Sequence, residues 1–131
     1  MIGLDTNVLI RYLTQDDPDP AERAGRIIET HCTRDEPCLV SLVVLCELVW
    51  VLRGAYGYEK KQVIKVLEQL LATSELSIEA EYTARSSLAA YRRGTADFAD
   101  YVIVFSSRAR GGEITYSFDP KLAGHDYVHI P

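Results

Sequence analysis

The chain opens Met1-Ile2-Gly3-Leu4-Asp5-Thr6-Asn7-Val8-Leu9-Ile10, a short apolar run that stops at a carboxylate and turns at once into a second apolar run. In an open parallel α/β sheet, ligands bind just outside the carboxyl ends of the strands, so an acid here faces the edge where chemistry is done. Asp5 is the first candidate site residue. The competing reading is an N-cap, because Asp, Thr and Asn side chains all accept hydrogen bonds from the free N–H groups that begin a helix.

The rest of the chain alternates in the same way. The run from Val8 continues to Leu13, a loop with Pro18 and Pro20 follows, and from Ala21 to about Arg34 the pattern is helical, with Ala24, Ile27 and Ile28 on one face. Cys38-Leu39-Val40 is a short strand reaching Ser41, and Leu42 to Tyr56 reads as a buried helix. Glu59 to Thr73 is an amphipathic helix, Leu76-Ser77-Ile78 a third strand, Glu79 to Arg93 another helix, and Thr95 to about Arg110 the last. Ile114-Thr115-Tyr116 and Tyr127-Val128-His129-Ile130 complete the strands. Strands alternating with helices predict an α/β fold built on a parallel sheet.

With 131 residues and no linker or repeat, a single domain over residues 1–131 is expected. No run approaches the ~18 apolar residues of a membrane span. No basic or cleavable apolar segment precedes the first strand, which reads as a cytoplasmic protein. Cys32, Cys38 and Cys46 form no C-x-x-C pair and are expected as free, core thiols, and His31, His125 and His129 match no zinc spacing. The net charge of −5 argues against simple electrostatic capture of nucleic acid. With Asp5, Glu47, Asp97, Asp100 and Asp119 set aside as one group, however, the remaining 14 acids balance 14 bases.

Those five acids carry the chemistry. Glu47 has Val43, Val44, Trp50 and Val51 at helical spacing, so no adjacent turn offers a base, and a charge buried there needs a distant partner such as Arg11 or Arg53, or a metal. Asp97 and Asp100 share one face at the start of a helix, where capping and dipole compensation are the competing roles. Asp119 followed by Pro120 has the form of an N-cap as well as of a strand-end acid. In a parallel sheet these positions can converge on one edge. Carboxylates brought together repel, so a shared pocket implies cations, and oxygen ligands without His or Cys suit magnesium or manganese. No G-x-S-x-G elbow or Gly-Lys-Ser/Thr phosphate loop is present.

In this order the segments Asp5-Thr6-Asn7-Val8-Leu9-Ile10, Cys46-Glu47-Leu48, Asp97-Phe98-Ala99-Asp100 and Ser117-Phe118-Asp119 resemble the motifs of PIN-domain ribonucleases, and among them the VapC-like toxins of toxin–antitoxin pairs. The resemblance implies a five-stranded parallel sheet flanked by helices and one or two Mg2+ or Mn2+ ions. It makes Asp5, Glu47, Asp100 and Asp119 the metal-site and catalytic acids. Thr6, Asn7 and Ser117 would orient ligands or water, and Asp97 matches a more variable position. Ser117 stands where a threonine is expected but keeps the hydroxyl. The implied reaction is RNA phosphodiester hydrolysis by water activated at the cation. The implied partners are an RNA substrate, a cognate VapB-like antitoxin and a second copy of the chain in a homodimer, with no membrane. Arg11, Arg92, Arg93, Arg108 and Lys121 are candidates for phosphate contacts. Trp50, Tyr56 and Tyr58 are candidates for an interface. A catalytically inactive PIN-fold module that binds RNA or protein is the alternative, and the complete acid set speaks against it.

Overall fold

Each stretch of helical periodicity forms a helix in the computed structural model, which describes residues 1–131. The order is α1 (Thr6–Thr14), α2 (Pro18–His31), β1 (Cys38–Val40), α3 (Leu42–Gly54), α4 (Lys60–Leu71), β2 (Leu76–Ile78), α5 (Glu81–Arg93), α6 (Phe98–Ala109), β3 (Thr115–Tyr116) and β4 (Val128–His129), with a single 3-10 turn over Pro120–Leu122. The chain divides into two compact units, Met1–Glu81 and Tyr82–Pro131. No helix is long and apolar enough to cross a membrane.

In the first unit, β1 pairs with β2 in parallel, Cys38 opposite Leu76 and Val40 opposite Ile78. On the other side of β1 the N-terminal segment adds one parallel bridge, Gly3 to Leu39, held by Leu39 N–H to Ile2 O at 2.7 Å and Leu4 N–H to Leu39 O at 3.0 Å. Leu4, Leu9, Val40, Leu45, Leu48, Leu52, Val63 and Leu67 are buried and form the core of this unit. α3 buries Val44, Leu45, Leu48, Val49 and Leu52, a stripe of helical period, and leaves Val43, Glu47 and Trp50 exposed on the opposite side. Its first turn is capped twice: Ser41 Oγ accepts from Val44 N–H at 3.2 Å, and Glu79, from the end of β2, accepts from Leu42 N–H at 2.9 Å. A carboxylate there also meets the positive end of the helix dipole.

Two expectations need correcting in this unit. α2 starts at Pro18 rather than Ala21, because prolines in a first helical turn lack only N–H groups that have no partner inside the helix. Cys32 and Cys38 are joined in a disulfide rather than free. The short loop from the end of α2 to the start of β1 folds back and brings their Cα atoms to 4.9 Å, within the bridgeable range. Cys46 alone is a free thiol.

In the second unit, Leu88, Tyr91, Phe98, Tyr101, Val102 and Val104 are buried, and Tyr91 meets Phe98 edge to face with ring centroids 5.9 Å apart. β3 pairs with β4 in parallel, Thr115 opposite Val128. The five expected extended segments are thus present and every pairing is parallel, but they form two ladders rather than one five-stranded sheet. The segments are short, three residues in β1 and two in β3, so each ladder carries few hydrogen bonds.

Between α5 and α6 the chain turns at Gly94, where an added Cβ would collide with the hydroxyl of buried Tyr101 and approach Ala90 O at 3.1 Å. The same hydroxyl accepts from Ala96 N–H at 3.3 Å, so this turn sets the start of α6. Gly94→Ala is expected to lose about 1–3 kcal/mol of stability through overpacking, measured by urea unfolding against wild type.

Candidate active site

The acids singled out in the sequence fall into two groups, one in each unit. In the first, the N-terminal segment delivers Asp5 to the start of α1, where it adopts extended backbone and its Oδ1 accepts from Thr6 N–H at 2.7 Å. The capping role of Asp5 is therefore real. It occupies one of roughly four acceptor positions on the carboxylate, and Asp5 is exposed.

Thr6 is buried, and its Oγ1 donates to Glu47 Oε1 at 2.8 Å. Glu47 is not enclosed by apolar side chains as its sequence neighbours suggested: of those neighbours Val44 is buried, but Val43 and Trp50 stand exposed on the same side of α3 as Glu47. Nor is its partner an arginine. Arg11 pairs with Asp16 at 3.6 Å, and Glu47 is held by a hydroxyl. The two residues are 41 positions apart, so no local pattern announces the contact. Asn7 is exposed in the first turn of α1 and faces a shallow groove between α1 and α2 with Arg11 and Arg23. Burial pushes the thiol of Cys46, beside Glu47 in the chain, up to about 11, which disfavours its thiolate.

In the second unit, Asp97 and Asp100 close a capping box at the start of α6, with Asp97 N–H donating to Asp100 Oδ2 at 3.0 Å. Asp119 follows β3 and caps the 3-10 turn, its Oδ1 accepting from Lys121 N–H at 2.9 Å, with Pro120 at the first position. Ser117 Oγ accepts from Asp119 N–H at 3.0 Å, which ties the hydroxyl to the acid two residues on. Phe118, between them, is 86% exposed and has no sequence signal beyond its position. Of the arginines, Arg92 and Arg93 close α5, and the Arg108 guanidinium lies 4.2 Å from the centroid of the Tyr127 ring.

Asp5, Thr6 and Glu47 offer only oxygen donors, as do Asp97, Asp100, Ser117 and Asp119. Such donors fit a hard divalent cation and do not suit zinc, copper or an iron–sulfur cluster. No three Asp, Glu, His or Cys side chains of the chain come together as a group able to hold a metal ion. The fit therefore rests on the chemistry of the donors, and in the first unit on one exposed carboxylate held by a buried hydroxyl.

The PIN domain family model matches residues 2–126. Among curated proteins, the chain is similar to a VapC ribonuclease of Aquifex aeolicus (strain VF5), at 24% identity over 115 residues that cover 88% of this chain and 84% of that protein. The match takes in every acid discussed above, from Asp5 to Asp119, and with α and β segments alternating along its length the chain belongs to the PIN domain family.

Proposed function

We propose that this protein is an endoribonuclease toxin that hydrolyses RNA phosphodiester bonds with the help of Mg2+ or Mn2+ and is neutralised by a cognate antitoxin in the cytoplasm. The observation that carries the reading is the Thr6–Glu47 hydrogen bond, which fixes one oxygen of an exposed, all-oxygen donor set beside Asp5 at the start of α1. Membership of the PIN domain family and the similarity to a VapC ribonuclease support it.

In this reading Asp5, Glu47, Asp100 and Asp119 hold the divalent ion or ions. When bound, such an ion supplies positive charge against the phosphate and makes water more acidic. The chain's own residues do the positioning. Thr6 donates to one Glu47 oxygen and so turns the other outward; Asp5 keeps its second oxygen free of the cap it makes. Ser117 accepts from the Asp119 backbone, which leaves its hydroxyl proton available to a phosphate oxygen or water. Asn7 and Asp97, exposed in the first turn of α1 and at the N-cap of α6, contribute amide and carboxylate oxygens to ligand orientation. A homodimer is part of the proposal, with exposed Trp50 on α3 as a contact residue.

An inactive PIN-fold module that binds RNA or protein without cutting it draws on a different observation, the absence of any ready-made group of three metal-ligating side chains. Activity separates the two readings. Purified, antitoxin-free protein is expected to cut cellular RNA with Mg2+ or Mn2+ and to stop doing so in EDTA. Asp5→Asn and Glu47→Gln are each expected to lower the rate at least about a hundredfold, since loss of a few kcal/mol of charge stabilisation corresponds to that factor. Expression of wild type but not Asp5→Asn is expected to arrest growth. No cleavage by wild type, with both forms equally harmless to cells, would establish the inactive module instead.

Thr6 is a positioning residue in this scheme. Thr6→Val is expected to raise the Mg2+ concentration needed for half-maximal cleavage by about 10–100-fold, the usual effect of removing a group that orients a metal-binding carboxylate. Thr6→Ser, which keeps the hydroxyl, should restore most of it.

A further inference from the structure

On the second unit, two adjoining hollows of about 450 and 290 Å3 share Ser86, Phe105 and Tyr127 in their walls and together form a groove between α5, α6 and the segment leading into β4. The larger is of the size range, ~300–1,000 Å3, of small-ligand sites. Its floor is small, formed by Ala89, Ala90 and Gly94. Its other wall is aromatic. Phe105 meets His125 at 5.8 Å and Tyr127 at 6.0 Å, nearly perpendicular to both, and His125 and Tyr127 meet at 5.7 Å with a 59° tilt. None of these pairs stacks in parallel, and all three rings are only half-buried.

The charges at the rim are mostly positive. Arg93 lines the larger hollow and Arg108 the smaller, where its guanidinium covers the Tyr127 ring at 4.2 Å; Asp126 is the one acid on the lining. Both arginines are exposed, and neither is held in an ion pair. His125 adds a directed donor. Its Nδ1 accepts from Tyr127 N–H at 3.1 Å, so the neutral ring carries its proton on Nε2.

Aromatic faces with guanidinium groups at the edges of a small-residue floor match the chemistry of an unpaired nucleobase and its phosphates: bases stack on rings without regard to sequence, and the backbone is tracked by Arg. We infer that this groove is a stacking subsite for single-stranded RNA, separate from the acids that do the chemistry. Tyr127 takes the base once the exposed Arg108 guanidinium, which covers its ring here, turns to a flanking phosphate; Phe105, perpendicular to Tyr127, bounds the base at its edge, and Arg93 takes the next phosphate. The Arg93–Gly94 end of the groove also includes Tyr101, the residue after Asp100, so a strand seated there leads toward the first turn of α6. The inference rests on the ribonuclease reading above and adds to it a place where the substrate is held.

The test is the affinity of the full chain, carrying Asp5→Asn to prevent cleavage, for a short unstructured fluorescent RNA, measured by anisotropy at several salt concentrations. Arg93→Glu and Arg108→Glu are each expected to weaken binding about tenfold and to flatten the log–log salt dependence by about 0.7 for each phosphate no longer neutralised. Tyr127→Leu is expected to weaken binding about tenfold and leave the salt slope unchanged, a split that a merely structural role would not produce. If Tyr127→Leu does not fold, the two exposed arginines decide the matter. RNA binding by the parent that none of the variants alters would overturn the groove and leave the nuclease reading standing. The groove is equally overturned if the variants change only the sedimentation of the chain, which would make it a face between copies. No RNA binding by the parent overturns the groove in any case, and separate cleavage by wild type then decides whether the nuclease reading falls with it.

Discussion

A single hydrogen bond, from the buried Thr6 hydroxyl to one oxygen of Glu47, joins the start of α1 to the exposed side of α3. It requires several things to be right at once. The N-terminal segment must lie beside β1 so that α1 begins at Thr6, and α3 must be rotated so that its apolar stripe faces the core and Glu47 does not. The double cap at the start of α3, by Ser41 and by Glu79 from the end of β2, fixes where that helix begins. A hydrogen bond to a charged acceptor contributes roughly 1.5–3 kcal/mol, enough to hold a carboxylate rotamer in a site that is otherwise open to water.

Capping does not exclude the ligand role proposed for the acids in this chain. Asp5, Asp97 with Asp100, and Asp119 all hold the first N–H groups of a helix or turn. Each such bond uses part of a carboxylate and leaves the rest of its acceptor positions unspent. Glu47 is the exception. It sits mid-helix, caps nothing, and owes its orientation to Thr6 alone.

Much of this is legible in the sequence, and the parts that are not have physical causes. Helical periodicity locates the helices because that signal is local. The extended segments also lie where the sequence places them, but a strand of two or three residues carries no signal of its neighbours, so the division into two ladders cannot be read. Apolar neighbours at three and four positions suggest a buried Glu47. On α3, which is apolar nearly all round, composition does not tell the buried face from the exposed one, and Val43 and Trp50 fall on the exposed side. The Cys32–Cys38 bond is hidden because a spacing of six is no recognised motif; only the fold-back between α2 and β1 brings the two together. The aromatic groove is invisible for the same reason, since Phe105, His125 and Tyr127 meet only across α6 and the loop that follows.

As a cation site, rather than a capped helix with a hydrogen-bonded neighbour, the Asp5–Thr6–Glu47 arrangement would bind a divalent ion in the absence of RNA. Calorimetric titration of the antitoxin-free protein with Mn2+, comparing wild type with Glu47→Gln, tests it without any assumption about the RNA. Glutamine keeps an oxygen that can accept from Thr6 but removes the charge. Saturable binding by wild type is expected, and its loss in the variant, with the circular dichroism spectra of the two unchanged. Equal binding by both, or none by either, would contradict it and make Thr6–Glu47 a purely structural contact.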